Sequence, residues 1–136
     1  MTETNGNKKF LESFNQFQEA LKRLSEVLDQ EKNEYIRDSA IKRFELVFEL
    51  SWKMIKAFLE TQAMSCQSPK KCFQEAFRQG LIGYEQEWLN MCDSRNEAAH
   101  LYNQEIAEDI YFQLPNFLKV FKQLAESLKK EIENLK

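Results

Sequence analysis

A chain of 136 residues is the size of one domain. With 43% hydrophobic and 30% charged residues, it has the composition of a globular protein rather than a disordered one. Three glycines and two prolines are too few for a turn-rich sheet protein, no run of about 18 apolar residues suits a membrane span, and a net charge of −3 excludes a general basic footprint for nucleic acid. The leading MTETNGNKK has no apolar core, so no secretory leader is expected and the protein reads as cytoplasmic. Cys66, Cys72 and Cys92 form no C-x-x-C pair and read as small buried or reduced thiols. One histidine argues against a structural zinc site and against a di-metal carboxylate bundle, so no metal site is expected. No phosphate-loop, dinucleotide, nucleophile-elbow or H-E-x-x-H signature occurs, and no cofactor is expected.

Residues 1–8 are polar and expected to fray. Phe10, Phe14, Phe17, Leu21, Leu24 and Leu28 then follow alternating steps of four and three, the stripe of a bundle helix. The charged stretch 29–34 reads as a connection, and a second helix is expected over about 35–63, with Asp38 and Ser39 near its start. Ile41, Phe44, Phe48, Ile55 and Phe58 form one apolar stripe on it, widened by Trp52 and Leu59. Leu46, Val47, Leu50, Met54 and Ala57 form a second, so this helix needs neighbours on two sides. Glu49 and Lys53 have the spacing of an i, i+4 ion pair on its surface. Ser68-Pro69 predicts a capped start and Gly80 the end of a short third helix. A fourth covers about 84–101, Asn103 breaks or caps the chain, and the last starts near Gln104, with Pro115 expected to kink or split it. These elements make a single all-α domain over 1–136: an antiparallel up-and-down bundle of four long helices with one extra short one.

The pointed feature is Arg95-Asn96-Glu97-Ala98-Ala99-His100-Leu101-Tyr102. Asp93, Asn96 and His100 fall at i, i+3 and i+7 on a shared face, while Arg95 and His100 are offset by ~140° on a regular helix. The ends of two long side chains can still converge across that angle. A guanidinium beside an imidazole is what metal-free phosphodiester chemistry needs. Histidine as a residue type titrates near neutrality and can move a 2′-hydroxyl proton, and arginine neutralises charge on phosphorus. The surroundings are acidic: residues 84–113 hold seven acids and one base, net −6, whereas 68–80 and 116–136 each sum to +2.

Beyond the motif, the chain resembles the HEPN superfamily, marked by R-x(4–6)-H, and more closely its nucleotidyltransferase substrate-binding branch, the HEPN half of MNT/HEPN pairs. The second helix carries Arg43-Phe44-Glu45, Phe48-Glu49 and Ser51-Trp52-Lys53, like that branch's R-F-E-x-x-F-E-x-x-W-K. Ser68-Pro69, Phe73 to Ala76 and Gly80-Leu81-Ile82 are similar to its S-P…A-x-x-x-G-x-I segment. Trp88 and Met91 precede Arg95-Asn96, His100 and Tyr102 as in W-x-x-M-x-x-x-R-N-x-x-x-H-x-Y, and Ala107, Ile110 and Tyr111 follow. The resemblance implies a dimerising helical bundle in which Arg95, Asn96 and His100 are the catalytic residues of a metal-independent endoribonuclease, leaving a 2′,3′-cyclic phosphate on RNA. It also implies a small nucleotidyltransferase encoded nearby as partner and antitoxin, with Tyr102 as the residue that receives AMP. A two-fold assembly would bring two copies of the single histidine together, supplying both an acid and a base. A second class stays open: a non-catalytic subunit that presents a substrate, or itself, to the nucleotidyltransferase, which the local −6 suits better.

Overall fold

The computed structural model describes residues 5–83 and 85–135. Three long helices, α1 (Asn5–Leu28), α2 (Glu34–Thr61) and α5 (Gln104–Leu135), carry most of the chain. Two short ones, α3 (Pro69–Arg78) and α4 (Glu85–Glu97), lie between α2 and α5, and a single 3-10 turn (Ala98–His100) follows α4. Among the described residues there is no strand, and no helix is long and apolar enough to cross a membrane. Tyr84, expected at the start of the fourth helix, lies outside the described residues.

The direction of each helix follows from its contacts. Phe10 near the start of α1 packs on Phe58 near the end of α2, and the Arg43 guanidinium donates to the Arg23 carbonyl at 2.7 Å, so α1 and α2 are antiparallel. Arg37 bonds Glu108 and Phe44 stacks on Phe117, so α2 and α5 run parallel, as alternate members of an up-and-down bundle do. Trp88 meets Phe121 while Ser94 and Glu97 line one cavity with Ile106 and Asp109, so α4 runs against α5. The fourth bundle position is therefore held by a 13-residue helix rather than a long one, with α3 packed beside it. The core is aromatic: Phe44, Phe48, Phe73, Trp88, Phe117 and Phe121 are at most 2% exposed and form a chain of ring contacts at 4.6–6.3 Å.

Local chemistry sets the helix ends. Asn33 accepts from the Ile36 amide at 2.8 Å and caps α2. That start leaves Asp38 a turn further in, where it pairs with Arg37. Ser68 caps α3 through the Lys71 amide, with Pro69 at the first helical position. Gly80, at φ +77°, ends α3: its amide donates to the Phe77 carbonyl and that of Leu81 to Ala76, the double bond of a Schellman turn. The same pair of bonds ends α2, but there the left-handed residue is Ala63, at φ +60°. Asn103 caps α5, accepting from the amides of Glu105 and Ile106.

Three expectations change. Residues 5–8 already belong to α1 and are helical rather than frayed, while residues 1–4 lie outside the described residues. Of the kink or split expected at Pro115 the split does not occur: α5 is continuous to Leu135, with the proline exposed on the helix surface. Cys66 and Cys72 are not separate thiols but a disulfide, because the bend at residues 67–68, just before α3, places their Cα atoms 5.1 Å apart. Only Cys92 among the described residues is free.

Candidate active site

Helix α4 faces the core with Trp88, Met91 and Ser94, and the 3-10 turn continues that face with Ala98. The residues between them, Asp93, Arg95, Asn96 and His100, are thereby turned outward. The 3-10 turn matters for the motif: it winds at three residues per turn, so His100 leaves the i, i+7 register with Asp93 that a regular helix would give it.

Arg95 and His100 belong to two separate contacts. One Arg95 nitrogen donates to Glu49 Oε1 on α2 at 2.7 Å, a short charge-assisted bond. The other oxygen of Glu49 accepts from the Trp52 indole at 3.2 Å. The sequence spacing pairs Glu49 with Lys53; the structure pairs it with Arg95, because a partner 46 residues away reaches the same face of α2. His100 Nδ1 lies 3.3 Å from the Tyr102 hydroxyl, the two rings meeting edge to face. Tyr102 is 80% exposed, so its hydroxyl and the imidazole are both open to a reactant.

Arg95 and Asn96 form part of the wall of an open cavity of 540 Å³ between α2, α4 and the start of α3. Lys70 and Phe48 also line it, and Asp93 and the Cys92 thiol complete the α4 side. Burial pushes the Cys92 thiol up to about 11, with the Asp93 charge adding to the effect and Lys70 and Arg95 opposing it. On the other flank of α4, Asp93, Glu97 and Asp109 line a second cavity of 250 Å³, the acidic side of the motif. No group of three or more metal-ligating side chains is gathered among the described residues.

Away from the motif, Arg37 is buried and held by Glu108 and Asp38, and Lys32 also bonds Glu108. These two cations hold the Glu108 carboxyl below the usual range. The cluster pins the start of α2 to α5. Sequence reasoning missed it, since an arginine next to Asp38 near the start of a helix gives no sign of a partner 71 residues away.

Residues 12–130 match the family described as nucleotidyltransferase substrate binding protein like. A Haemophilus influenzae protein named "Probable ribonuclease HepT" is 39% identical over 95 residues, 66% of this chain and 65% of that protein's length. A solved structure from Thermus thermophilus superposes with a TM-score of 0.78 at 33% identity, covering 82% of this chain and 98% of the other. A Haemophilus influenzae structure, described as revealing the fold of a substrate binding domain of a nucleotidyltransferase, superposes with a TM-score of 0.68 at 30% identity, over 90% and 98% of the two chains. The chain belongs to the nucleotidyltransferase substrate-binding family of HEPN-like helical proteins.

Proposed function

We propose that the chain is a metal-independent endoribonuclease of the toxin type, acting as a homodimer and silenced by a small nucleotidyltransferase that transfers AMP to Tyr102. The observation that carries the reading is the exposed His100–Tyr102 pair, five residues past the Arg95 guanidinium, in a chain 39% identical to a protein named as a probable ribonuclease. In cleavage, the 2′-oxygen of RNA attacks the adjacent phosphorus and His100 takes the hydroxyl proton. The bond to the 5′-oxygen breaks, leaving a 2′,3′-cyclic phosphate, and a protonated histidine supplies the leaving oxygen with its proton. Arg95 and Asn96 hold the phosphate from the side of the 540 Å³ cavity. One chain has one histidine, so the acid comes from a second copy. The wide apolar girth of α2 is mostly used within the chain, where Val47, Met54 and Ala57 are buried, so the case for the dimer rests on the histidine count.

In AMP transfer, the Tyr102 phenol oxygen attacks the α-phosphorus of ATP, pyrophosphate leaves, and the phenol proton passes to His100 Nδ1. The product places an anion beside the imidazole and competes for the Arg95 guanidinium. A non-catalytic subunit is the second reading, favoured by the commitment of Arg95 to Glu49 and by the acidic cavity beside it.

Purified chain should cleave tRNA or mRNA in EDTA, and His100→Ala and Arg95→Ala should each lower the rate at least a hundredfold with helix content unchanged. Incubation with the cognate nucleotidyltransferase, Mg²⁺ and ATP should add AMP mass to the wild type and none to Tyr102→Phe, which should keep its nuclease rate. Growth arrest on expressing the chain alone separates the toxin from the passive subunit. Sedimentation as a monomer at micromolar concentration would remove the composite site.

A further inference from the structure

We propose that the groove between α1 and α2 is a binding track for single-stranded RNA that leads to Arg95, with Lys53 and Lys56 on its phosphates and Trp52 as the platform for a base. The proposal rests on the reading of RNA as substrate. A protein with a net charge of −3 and a net −6 across the stretch that holds its motif needs positive surface elsewhere to hold a polyanion. The groove supplies it. It encloses 320 Å³ and is lined by Lys9 and Gln16 from α1 and by Trp52, Lys53, Lys56 and Glu60 from α2. Glu60 is matched to Lys9 at 3.7 Å, with both side chains largely in water. Lys53 and Lys56 have no ion-pair partner among the described residues, so both charges are available to a ligand.

Trp52 joins this groove to the motif. Its indole N–H is held by Glu49, which fixes the ring, and the same carboxylate holds Arg95. Glu49, Lys53 and Lys56 lie at i, i+4 and i+7 on one face of α2, so about 10 Å of helix separates the Arg95 anchor from the last lysine. A half-buried indole flanked by two free ammonium groups is the pattern of a strand-binding surface: aromatic faces accept any base, and lysines track the backbone. An acidic protein partner would use the lysines but gives no role to an indole fixed in place.

The test is binding of a 2′-O-methyl RNA 12-mer, which lacks the nucleophile and cannot be cleaved, to the full chain by fluorescence anisotropy across a salt series. Lys53→Ala with Lys56→Ala should weaken binding at least tenfold and lower the salt slope by about 1.4, from two phosphate contacts at about 0.7 each. Trp52→Leu should weaken binding at least fivefold, and Trp52→Phe should keep it within about twofold of wild type, since a ring still stacks. Lys129→Ala with Lys130→Ala, on α5 away from the groove, should leave affinity within about twofold. Equal loss from both lysine pairs would mean generic charge and overturn the track. So would no binding by wild type at low salt, or a Lys53/Lys56 variant that binds as wild type but changes self-association or the capture of the nucleotidyltransferase. Cleavage tested in parallel separates the two readings: unchanged binding with intact cleavage removes only the track, and groove-dependent binding without cleavage removes only the nuclease.

Discussion

At the scale of single residues, the motif itself was legible: Arg95, Asn96, His100 and Tyr102 stand out by type and spacing, and all four face outward. Their partners were not legible. Glu49 is 46 residues from Arg95 in sequence, and a carboxylate already placed i, i+4 from a lysine gives no reason to look further. The Cys66–Cys72 pair was hidden for a related reason, since a spacing of six is bridgeable only when the chain turns back between the two. Cys92 provides a direct test of the cavity beside Arg95. Its folded-state pKa is raised above the ordinary value, so the neutral thiol is favoured and thiolate forms only as pH climbs toward about 11. Moving the pKa from 9.0 to about 11 leaves about a hundredth of the usual thiolate at pH 8. Iodoacetamide should therefore modify native Cys92 roughly tenfold more slowly than a free peptide thiol, the greater nucleophilicity of the more basic thiolate offsetting part of its scarcity, and the rate should still be rising at pH 10. A plateau near pH 9 would mean that the thiol is solvated and the cavity wall misplaced.

At the scale of elements, helix type and most boundaries came through, because caps are short-range chemistry. Ser68-Pro69 and Gly80 bound α3 as their residue types require, and Asn103 resolves as a cap. What escaped was the 3-10 turn at His100. It breaks the regular-helix geometry at the residue of most interest, and nothing in Ala98-Ala99-His100 signals it. The end of α2 falls within two residues of the expected 63, but the turn that makes it was not legible: alanine is a helix former, yet Ala63 adopts φ +60° to close a Schellman turn. A side chain with a Cβ is strained there, whereas glycine is not. Ala63→Gly removes that strain and loses part of it again through the freer unfolded chain. The net expectation is a gain of about 0.5–1 kcal/mol, seen as a rise of a few degrees in Tm with the helical signal unchanged. A lower Tm would show that the Ala63 methyl group makes packing contacts that outweigh its backbone strain.

At the scale of the whole molecule, an all-α bundle was legible from the seven-residue stripes of α1 and α5 and the double stripe of α2. The shortness of its fourth member was not, since the periodicity of 84–101 gives no warning of a 13-residue helix followed by a tighter turn. That shortness divides the molecule energetically. Helices of 10 and 13 residues are at the edge of independent stability, so α3 and α4 hold their shape by packing. The packing runs through Trp88, which is 1% exposed and meets Phe73 of α3 at 4.6 Å and Phe121 of α5 at 5.5 Å. The long helices keep their own ring contacts, Phe17 on Phe121 and Phe44 on Phe117, without it. Trp88→Ala should cost about 3–5 kcal/mol, a large share of a domain's usual stability of about 5–15 kcal/mol. The loss should be local: hydrogen exchange should quicken across 69–100 while α1, α2 and the second half of α5 stay protected. Because Arg95 and His100 ride on the loosened segment, the RNA cleavage proposed for the chain should fall with most of the helix content intact. Exchange quickening evenly along all five helices would instead show one cooperative unit, with the motif supported by the whole bundle rather than by a single tryptophan.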